Sequence, residues 1–191
     1  MDGWAVWITG LPGSGKSALA RGLESRLAAR GLDVARLSMD ERRKEWFPKP
    51  RYDENERRRA YELLVDEAAD AAARGRGVIL DATAHRKAVR DLARARIPRF
   101  AEIHLQCGLD AAMRREAGRP QGQVMAGLYA KALERRRTGV QTPGLGQVIG
   151  VDVPFEADPA AECRIDNTDL AKEETLARAV AFLDRWLEEG R

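Results

Sequence analysis

The chain has 191 residues, of which 44% are hydrophobic and 33% charged, and its 33 basic and 30 acidic side chains leave a net charge of +3. This near balance demands no polyanion-binding surface, so nucleic acid is not an expected partner, and no apolar run approaches the roughly 20 residues that cross a bilayer. We therefore expect one compact domain over residues 1–191 and no membrane partner. The N-terminus lacks the basic start and long apolar stretch of a secretory signal, which predicts a cytoplasmic location.

The first half of the chain predicts alternating strands and helices. Residues 4–9 form a short apolar run rich in β-formers, and residues 17–30 repeat leucine at helical spacing up to a glycine, which is a natural helix end. Val34–Ser38 has the composition of a second strand. Residues 53–74 place apolar side chains on one helical face, after a proline-rich break at 48–50.

The second half continues the alternation. We predict strands at 78–80, 101–106 and 162–165 and helices at 86–96 and 170–188. An arginine-rich helical pattern over 109–137 precedes a glycine- and proline-rich segment at 138–159, and we expect the region of about 109–160 to form a lid and an acceptor loop, with disorder as the alternative. Strands joined by helices require a mostly parallel sheet with helices on both faces.

The glycine-rich segment after the first strand is the most specific motif. It fits the pattern G-x-x-x-x-G-K-[ST] and lies between a predicted strand and a predicted helix. Its backbone N–H groups would surround the phosphates of ATP, Lys16 would reach the β- and γ-phosphates, and Ser17 would ligate Mg²⁺. The expected ATP-binding residues of this segment are Gly10, Leu11, Pro12, Gly13, Ser14, Gly15, Lys16, Ser17 and Ala18. The predicted fold class is α/β: a P-loop NTPase three-layer sandwich with a mostly parallel five-stranded sheet and a helical lid.

A phosphate-binding loop does not by itself separate a kinase from a GTPase. A GTPase would carry a guanine-reading N-K-x-D, and Asn167-Thr-Asp169 lacks the lysine and the spacing. Small size and the arginine-rich lid favour a kinase, in which Lys16 is a catalytic residue. Asp40 follows the second strand, where open α/β sheets place ligand groups, and its carboxylate would accept the proton of the acceptor hydroxyl or hold magnesium-bound water. The alternative for Asp40 is a helix N-cap.

Four further segments resemble the adenylyl-sulfate kinases, which phosphorylate the ribose 3′-hydroxyl of adenosine 5′-phosphosulfate. The phosphate loop is similar to that of the family, and the resemblance covers most of the chain in the same order. The segments and their family patterns are Met39-Asp-Glu-Arg-Arg43 for Gly-Asp-Asn-Val-Arg, Asp53-Glu-Asn-Glu-Arg-Arg58 for Asp-Glu-Asn-x-Arg-Arg, Gly127-Leu-Tyr-Ala-Lys-Ala132 for Gly-Leu-Tyr-Lys-Lys-Ala, and Gly150-Val-Asp-Val-Pro-Phe-Glu156 for Gly-Ile-Asp-x-Pro-Tyr-Glu.

This resemblance implies roles for the acceptor side and the lid. Asp40 becomes the catalytic base, Arg43, Asn55 and Arg58 hold the sulfate and phosphate of the acceptor, and a plain solvated face is the alternative for Asn55 and Arg58. Lys131, Asp152 and Phe155 fall in the acceptor and lid region, where Phe155 replaces a tyrosine. Arg115 matches a lid arginine that contacts ATP. The implied cofactors are ATP and Mg²⁺. Kinases of this resemblance are commonly dimers, so a homodimer is one expectation.

The chain departs from the family after its third strand and in the loop before Gly150. The family shows Ser-x-x-Ser-Pro-x-Arg where this chain reads Asp81-Ala-Thr-Ala-His85-Arg-Lys87, so Asp81 adds a carboxylate beside the phosphate site and is a candidate acceptor-binding residue. A similar Asp-x-Thr occurs in polynucleotide-kinase-like enzymes. Residues 147–149 replace an aromatic element that would stack on the acceptor's adenine. For His85, contact with a phosphate or the acceptor competes with a cap or surface role.

The leading hypothesis is an ATP- and Mg²⁺-dependent kinase of a small anionic acceptor, with adenylyl sulfate as the first candidate. The second is a related kinase acting on another phosphorylated hydroxyl acceptor or on a nucleic-acid end. The third is a binding module in which ATP closes the lid without phosphoryl transfer.

Overall fold

The computed structural model describes residues 3–51, 53–118 and 127–189. Five strands form one sheet: β1 (Trp4–Gly10), β2 (Val34–Ser38), β3 (Gly77–Asp81), β4 (Phe100–Gln106) and β5 (Cys163–Asp166). Seven helices lie within the described residues: α1 (Lys16–Ala28), α2 (Met39–Trp46), α3 (Glu54–Ala73), α4 (Lys87–Arg96), α5 (Leu109–Ala117), α6 (Leu128–Thr138) and α7 (Lys172–Glu189). None of these helices is long and apolar enough to cross a membrane.

The sheet is parallel throughout, with the order β2-β3-β1-β4-β5. One apolar core lies between one face of the sheet and α3 and α4, and contains the buried side chains of Trp7 and Leu64. A second core lies on the other face and includes Leu23 of α1 and Leu183 of α7. The predicted α/β three-layer architecture is therefore confirmed.

One helix was not predicted from the sequence. The chain enters α2 directly after β2, so Asp40 lies in the first turn of a helix and not at the end of a strand. Within the predicted helical region 109–137, α5 and α6 are separate helices, and residues 119–126 lie outside the described part. Residues 139–162 contain no helix or strand beyond an isolated bridge between Ile149 and Val153, in agreement with the predicted long loop.

A buried ionic network joins α4 to the sheet and to the long loop. The Arg90 side chain is fully buried, its Nε lies 3.0 Å from a carboxylate oxygen of Glu102 on β4, and its guanidinium donates to the carbonyl oxygens of Ala84 and Glu156. Glu102 also accepts a hydrogen bond of 2.6 Å from the Thr9 hydroxyl of β1. Arg90 thus fixes two loops relative to the central strands.

Replacing Arg90 by methionine should lower the free energy of unfolding by about 3–5 kcal/mol, because the buried Glu102 carboxylate would lose the nearer of its two arginine partners and two loop carbonyls would lose their donor. Denaturation by urea measures the effect. The control is Arg96→Met on the same helix, because Arg96 is exposed and its ion pair with Asp66 is solvated. Equal destabilisation by the two variants would contradict a structural role for the buried network.

Candidate active site

The phosphate loop between β1 and α1 has the backbone conformation that its glycines permit. Gly10, Gly13 and Gly15 all have positive φ angles, and a Cβ atom at Gly13 would lie 2.2 Å from the carbonyl oxygen of Ala112. The Lys16 ammonium donates a hydrogen bond of 2.8 Å to the carbonyl oxygen of Leu11. The loop therefore curls around the lysine, and this arrangement leaves the start of α1 as an anion-binding helix end.

Asp81 lies against the phosphate loop because β3 is the immediate neighbour of β1. It is 5% exposed and accepts a hydrogen bond from the Ser17 hydroxyl. Burial raises the pKa of the Asp81 carboxyl, while the bond from Ser17 and the charge of Lys16 act in the opposite direction. The hydroxyl and carboxylate oxygens of this pair are hard ligands of the kind that Mg²⁺ prefers.

Asp40 lines a cavity of about 220 Å³ on one side of the phosphate loop. The N-cap of α2 is Ser38, so the alternative interpretation of Asp40 as a helix N-cap is wrong. Arg43 lines the same cavity one helical turn later, and its guanidinium lies 3.8 Å from the buried carboxylate of Glu56. The cavity is completed by side chains from the phosphate loop, α2, α3 and two loops, among them Pro12, Phe47, Tyr61, Thr83 and Ile149.

The two other sequence-predicted acceptor residues on α3 lie in a second cavity. Asn55 and Arg58 are exposed, are joined by a hydrogen bond of 3.4 Å, and line a space of about 610 Å³ between α3 and α4. Arg57 and Tyr61 line both cavities and form the wall between them. The structure therefore brings Asp40 and Arg43 together and separates them from Asn55 and Arg58 by this wall.

Arg57 was not singled out in the sequence because it lies within a run of three arginines. Its guanidinium donates to the carbonyl oxygen of Gln147 at 3.2 Å, and burial lowers its pKa. The spacing of Arg57 could have indicated its place in the site. Position 57 lies four residues before the buried Tyr61 and therefore on the same helical face.

Arg115 lies on the opposite side of the phosphate loop from Asp40. It donates hydrogen bonds to the carbonyl oxygens of Asn167 at 2.7 Å and Thr168 at 3.0 Å. With Gly15 and Ala18 it lines a cavity of about 380 Å³ that opens beside the start of α1. Asn167 also lines this cavity and donates to the Ser14 carbonyl oxygen at 2.8 Å, a role that only its position after a strand could have indicated.

Lys131 and Phe155 line neither the Asp40 cavity nor the cavity between α3 and α4. Lys131 is an exposed residue of α6, and Phe155 stacks on His104 with ring centroids 4.8 Å apart. Asp152 accepts hydrogen bonds of 2.6 Å from Arg135 and from the backbone N–H of Val148, which holds the turn before Gly150. The acceptor roles of Lys131 and Phe155 stay predictions.

Comparisons with known proteins agree with this geometry. The sequence model of the family described as adenylylsulphate kinase matches residues 2–166. A probable bifunctional SAT/APS kinase of Sorangium cellulosum is 35% identical over 96% of this chain, which spans 29% of that longer protein. An adenylyl-sulfate kinase of Geotalea uraniireducens is 33% identical, with 97% of this chain and 82% of the relative covered.

A solved structure shows the same fold over nearly the whole chain. The APS kinase CysC of Mycobacterium tuberculosis, in complex with AMPPNP and APS, superposes with a TM-score of 0.79 at 26% identity, covering 96% of this chain and 98% of that one. The family match covers residues 2–166 and therefore includes the phosphate loop, Asp40 and Arg115. The chain therefore belongs to the adenylylsulphate kinase family.

Proposed function

We propose that the protein transfers the γ-phosphoryl group of ATP to the 3′-hydroxyl of adenosine 5′-phosphosulfate. The observation that carries this proposal is the arrangement of the cavities: the one that contains Arg115 opens on one side of the phosphate loop, and the one that contains Asp40 opens on the other. Both cavities border the phosphate loop: Pro12 lines the Asp40 cavity, and Gly15 lines the Arg115 cavity. A phosphoryl group held by the loop would therefore lie between a donor and an acceptor.

The side chains around the loop can supply the groups that phosphoryl transfer needs. The Lys16 ammonium would offset the negative charge on the transferring group, and Arg43 would hold an anionic part of the acceptor. Asp40 would orient the acceptor hydroxyl and accept its proton. Positioning and charge neutralisation account for most of the catalysis in this class of reaction, because little covalent chemistry falls to the protein.

Ser17 and Asp81 would hold Mg²⁺ at the phosphate loop. Their oxygens are already joined by a hydrogen bond, and the Asp81 carboxyl is buried beside Lys16. The bound ion would supply positive charge to the β- and γ-phosphates. Asp81, which the sequence suggested for the acceptor, is thus proposed to act on the metal side of the site.

Replacing Asp81 by asparagine should weaken Mg²⁺-dependent ATP binding by about 10- to 100-fold, because a charged partner of the metal site is lost. Calorimetric titration of ATP at a series of Mg²⁺ concentrations measures this effect without turnover. Because burial raises the pKa of Asp81, protons should compete with the metal as the pH falls. The control is Asp166→Asn at the end of β5, which should leave the Mg²⁺ requirement unchanged. An unaltered requirement in Asp81→Asn would contradict the metal role.

The identity of the acceptor is tested by ADP release measured across a panel of acceptors. The panel comprises adenylyl sulfate, AMP, gluconate and a 5′-hydroxyl oligonucleotide. We expect the highest kcat/KM for adenylyl sulfate. A preference for another member would favour a related kinase, which the departures at Asp81 and His85 also allow, and no transfer to any member would favour a nucleotide-gated binding module.

The region of about 109–160 is proposed to act as a lid and acceptor loop of one domain spanning 1–191. Its contact with the phosphate loop supports this role, since the Tyr129 hydroxyl of α6 donates to the Pro12 carbonyl oxygen at 2.9 Å. A homodimer and a cytoplasmic location stay predictions.

A further inference from the structure

We propose that Asn167 and Tyr129 are positioning residues of the phosphate loop, which they hold from outside so that the N–H groups of Gly15 and Gly13 point toward the bound phosphates. The inference rests on the proposed function for ATP as the ligand of the loop, and on the hydrogen bonds of the two side chains for the orientation itself. Both residues act through the backbone of the loop.

Two peptide groups of the phosphate loop are hydrogen bonded from outside the loop. The Asn167 side-chain amide donates to the carbonyl oxygen of Ser14 at 2.8 Å, and the Tyr129 hydroxyl donates to that of Pro12 at 2.9 Å. In a trans peptide group the carbonyl oxygen and the N–H of the next residue point in opposite directions. A carbonyl oxygen fixed toward the outside therefore turns the following N–H inward, and the following residue is a glycine in both cases.

The two glycine N–H groups are available to a ligand. Gly13 is buried and Gly15 is partly buried, and neither N–H donates a hydrogen bond to another group in the described part of the chain. Buried N–H groups are nearly always paired in folded proteins, so a ligand oxygen is their expected acceptor. The phosphates of ATP would bring such oxygens to this end of α1.

Because these residues are glycines, the orientation of their N–H groups depends on contacts from outside the loop. The φ angles of Gly13 and Gly15 are +81° and +99°, and glycine adopts positive and negative φ about equally readily. The peptide groups before the two glycines can therefore rotate at little cost unless a hydrogen bond fixes them. Each outer bond selects the orientation in which the N–H points inward.

Both donors are themselves held in place by the fold. Tyr129 is 1% exposed and packs with Leu128 and Val148 in a small apolar cluster of the proposed lid. Asn167 is 5% exposed, and its backbone N–H donates to the Gln106 carbonyl oxygen at the end of β4. A side chain that is already ordered loses little conformational entropy when it bonds the loop, so its bond can fix the peptide group effectively.

The two outer bonds connect the phosphate loop to different parts of the site. Tyr129 lies on α6, within the proposed lid, whereas Asn167 follows β5 and accepts hydrogen bonds from Arg115. A displacement of either part should therefore change the affinity of the loop for phosphates.

Calorimetric titration of the full chain with inorganic tripolyphosphate in excess Mg²⁺ tests the proposal, because this probe carries the phosphates of ATP without the nucleoside. Tyr129→Phe removes only a hydroxyl and should weaken binding by about 3- to 10-fold, the contribution of one hydrogen bond between neutral groups. Asn167→Leu substitutes an apolar group of nearly the same size and should weaken binding at least as much, since the Ser14 carbonyl loses its donor. The bonds of Arg115 to the backbone carbonyls of residues 167 and 168 are kept.

The amide resonances of Gly13 and Gly15 in isotope-labelled protein separate orientation from general destabilisation. In wild type both amide protons should move downfield when tripolyphosphate binds, because each gains an ionic acceptor. Asn167→Leu should diminish the shift of Gly15, and Tyr129→Phe should diminish that of Gly13. If Asn167→Leu does not fold, the affinity and the Gly13 shift of Tyr129→Phe decide.

The matched controls are Asp166→Ala and Thr138→Val, which should keep wild-type affinity for tripolyphosphate. Asp166 accepts two hydrogen bonds from Thr168 in the same turn as Asn167, and the Thr138 hydroxyl lies at the far end of α6. Wild-type affinity in both test variants would overturn the proposal, as would a loss that the controls share or that leaves the two glycine shifts unchanged. The predicted glycine pattern without transfer to adenylyl sulfate would uphold it and contradict only the proposed acceptor.

Discussion

Replacing Lys16 by alanine should reduce kcat by about 10²- to 10³-fold, the loss seen when one fixed donor to a developing charge is removed. The ammonium is held inside the phosphate loop by the Leu11 carbonyl, so it needs no reorganisation when the γ-phosphoryl group arrives. Coupled ADP release with adenylyl sulfate as acceptor measures the effect.

The fold should survive the Lys16 substitution. The side chain bonds a loop carbonyl at the surface of the sheet and lies outside the two apolar cores. Thermal melting of the variant should therefore resemble that of wild type. Lys49→Ala is the control for loss of a lysine, because Lys49 is exposed and lines neither the Asp40 cavity nor the Arg115 cavity. Turnover at the wild-type rate by Lys16→Ala would refute the assignment of the loop.

The sheet and the phosphate loop could be predicted because their signals are local. The β1 strand is a run of buried apolar residues, and its loop needs glycine wherever φ is positive. The α2 helix gave no such signal, since only Met39 of its eight residues is buried and the rest of the segment is mostly charged. A short helix without an apolar stripe is formed by its tertiary position after β2, which periodicity does not record.

The sequence indicated the individual residues of the site more readily than it indicated which of them line the same cavity. Asp81 ends β3 and Asp40 comes shortly after β2, and parallel strands bring their carboxyl ends to one edge of the sheet. The wall that separates Asn55 from Asp40 depends on how Tyr61 packs against the loop at Ala84. Ala84 has a positive φ at this contact, and nothing in the sequence indicates that an alanine adopts it.

Replacing Asp40 by asparagine should lower kcat by about 10²- to 10⁴-fold, because asparagine is nearly the same size but cannot accept the proton of the acceptor hydroxyl. KM for the acceptor should change little, since Arg43 and the cavity walls remain. The measurement is steady-state ADP release with adenylyl sulfate over a range of acceptor concentrations, which separates kcat from KM.

A substitution of the neighbouring Glu41 distinguishes a catalytic role of Asp40 from a contribution of Asp40 to the stability of α2. Asp40 and Glu41 are both exposed acidic residues in the first turn of α2, where each interacts favourably with the helix dipole. Only Asp40 lines the cavity, whereas Glu41 pairs with Arg36 at 3.1 Å. Glu41→Gln should therefore resemble Asp40→Asn in stability and wild type in turnover. If the two variants lose turnover equally, the acid at the start of α2 supports the helix and the base must be sought elsewhere in the cavity.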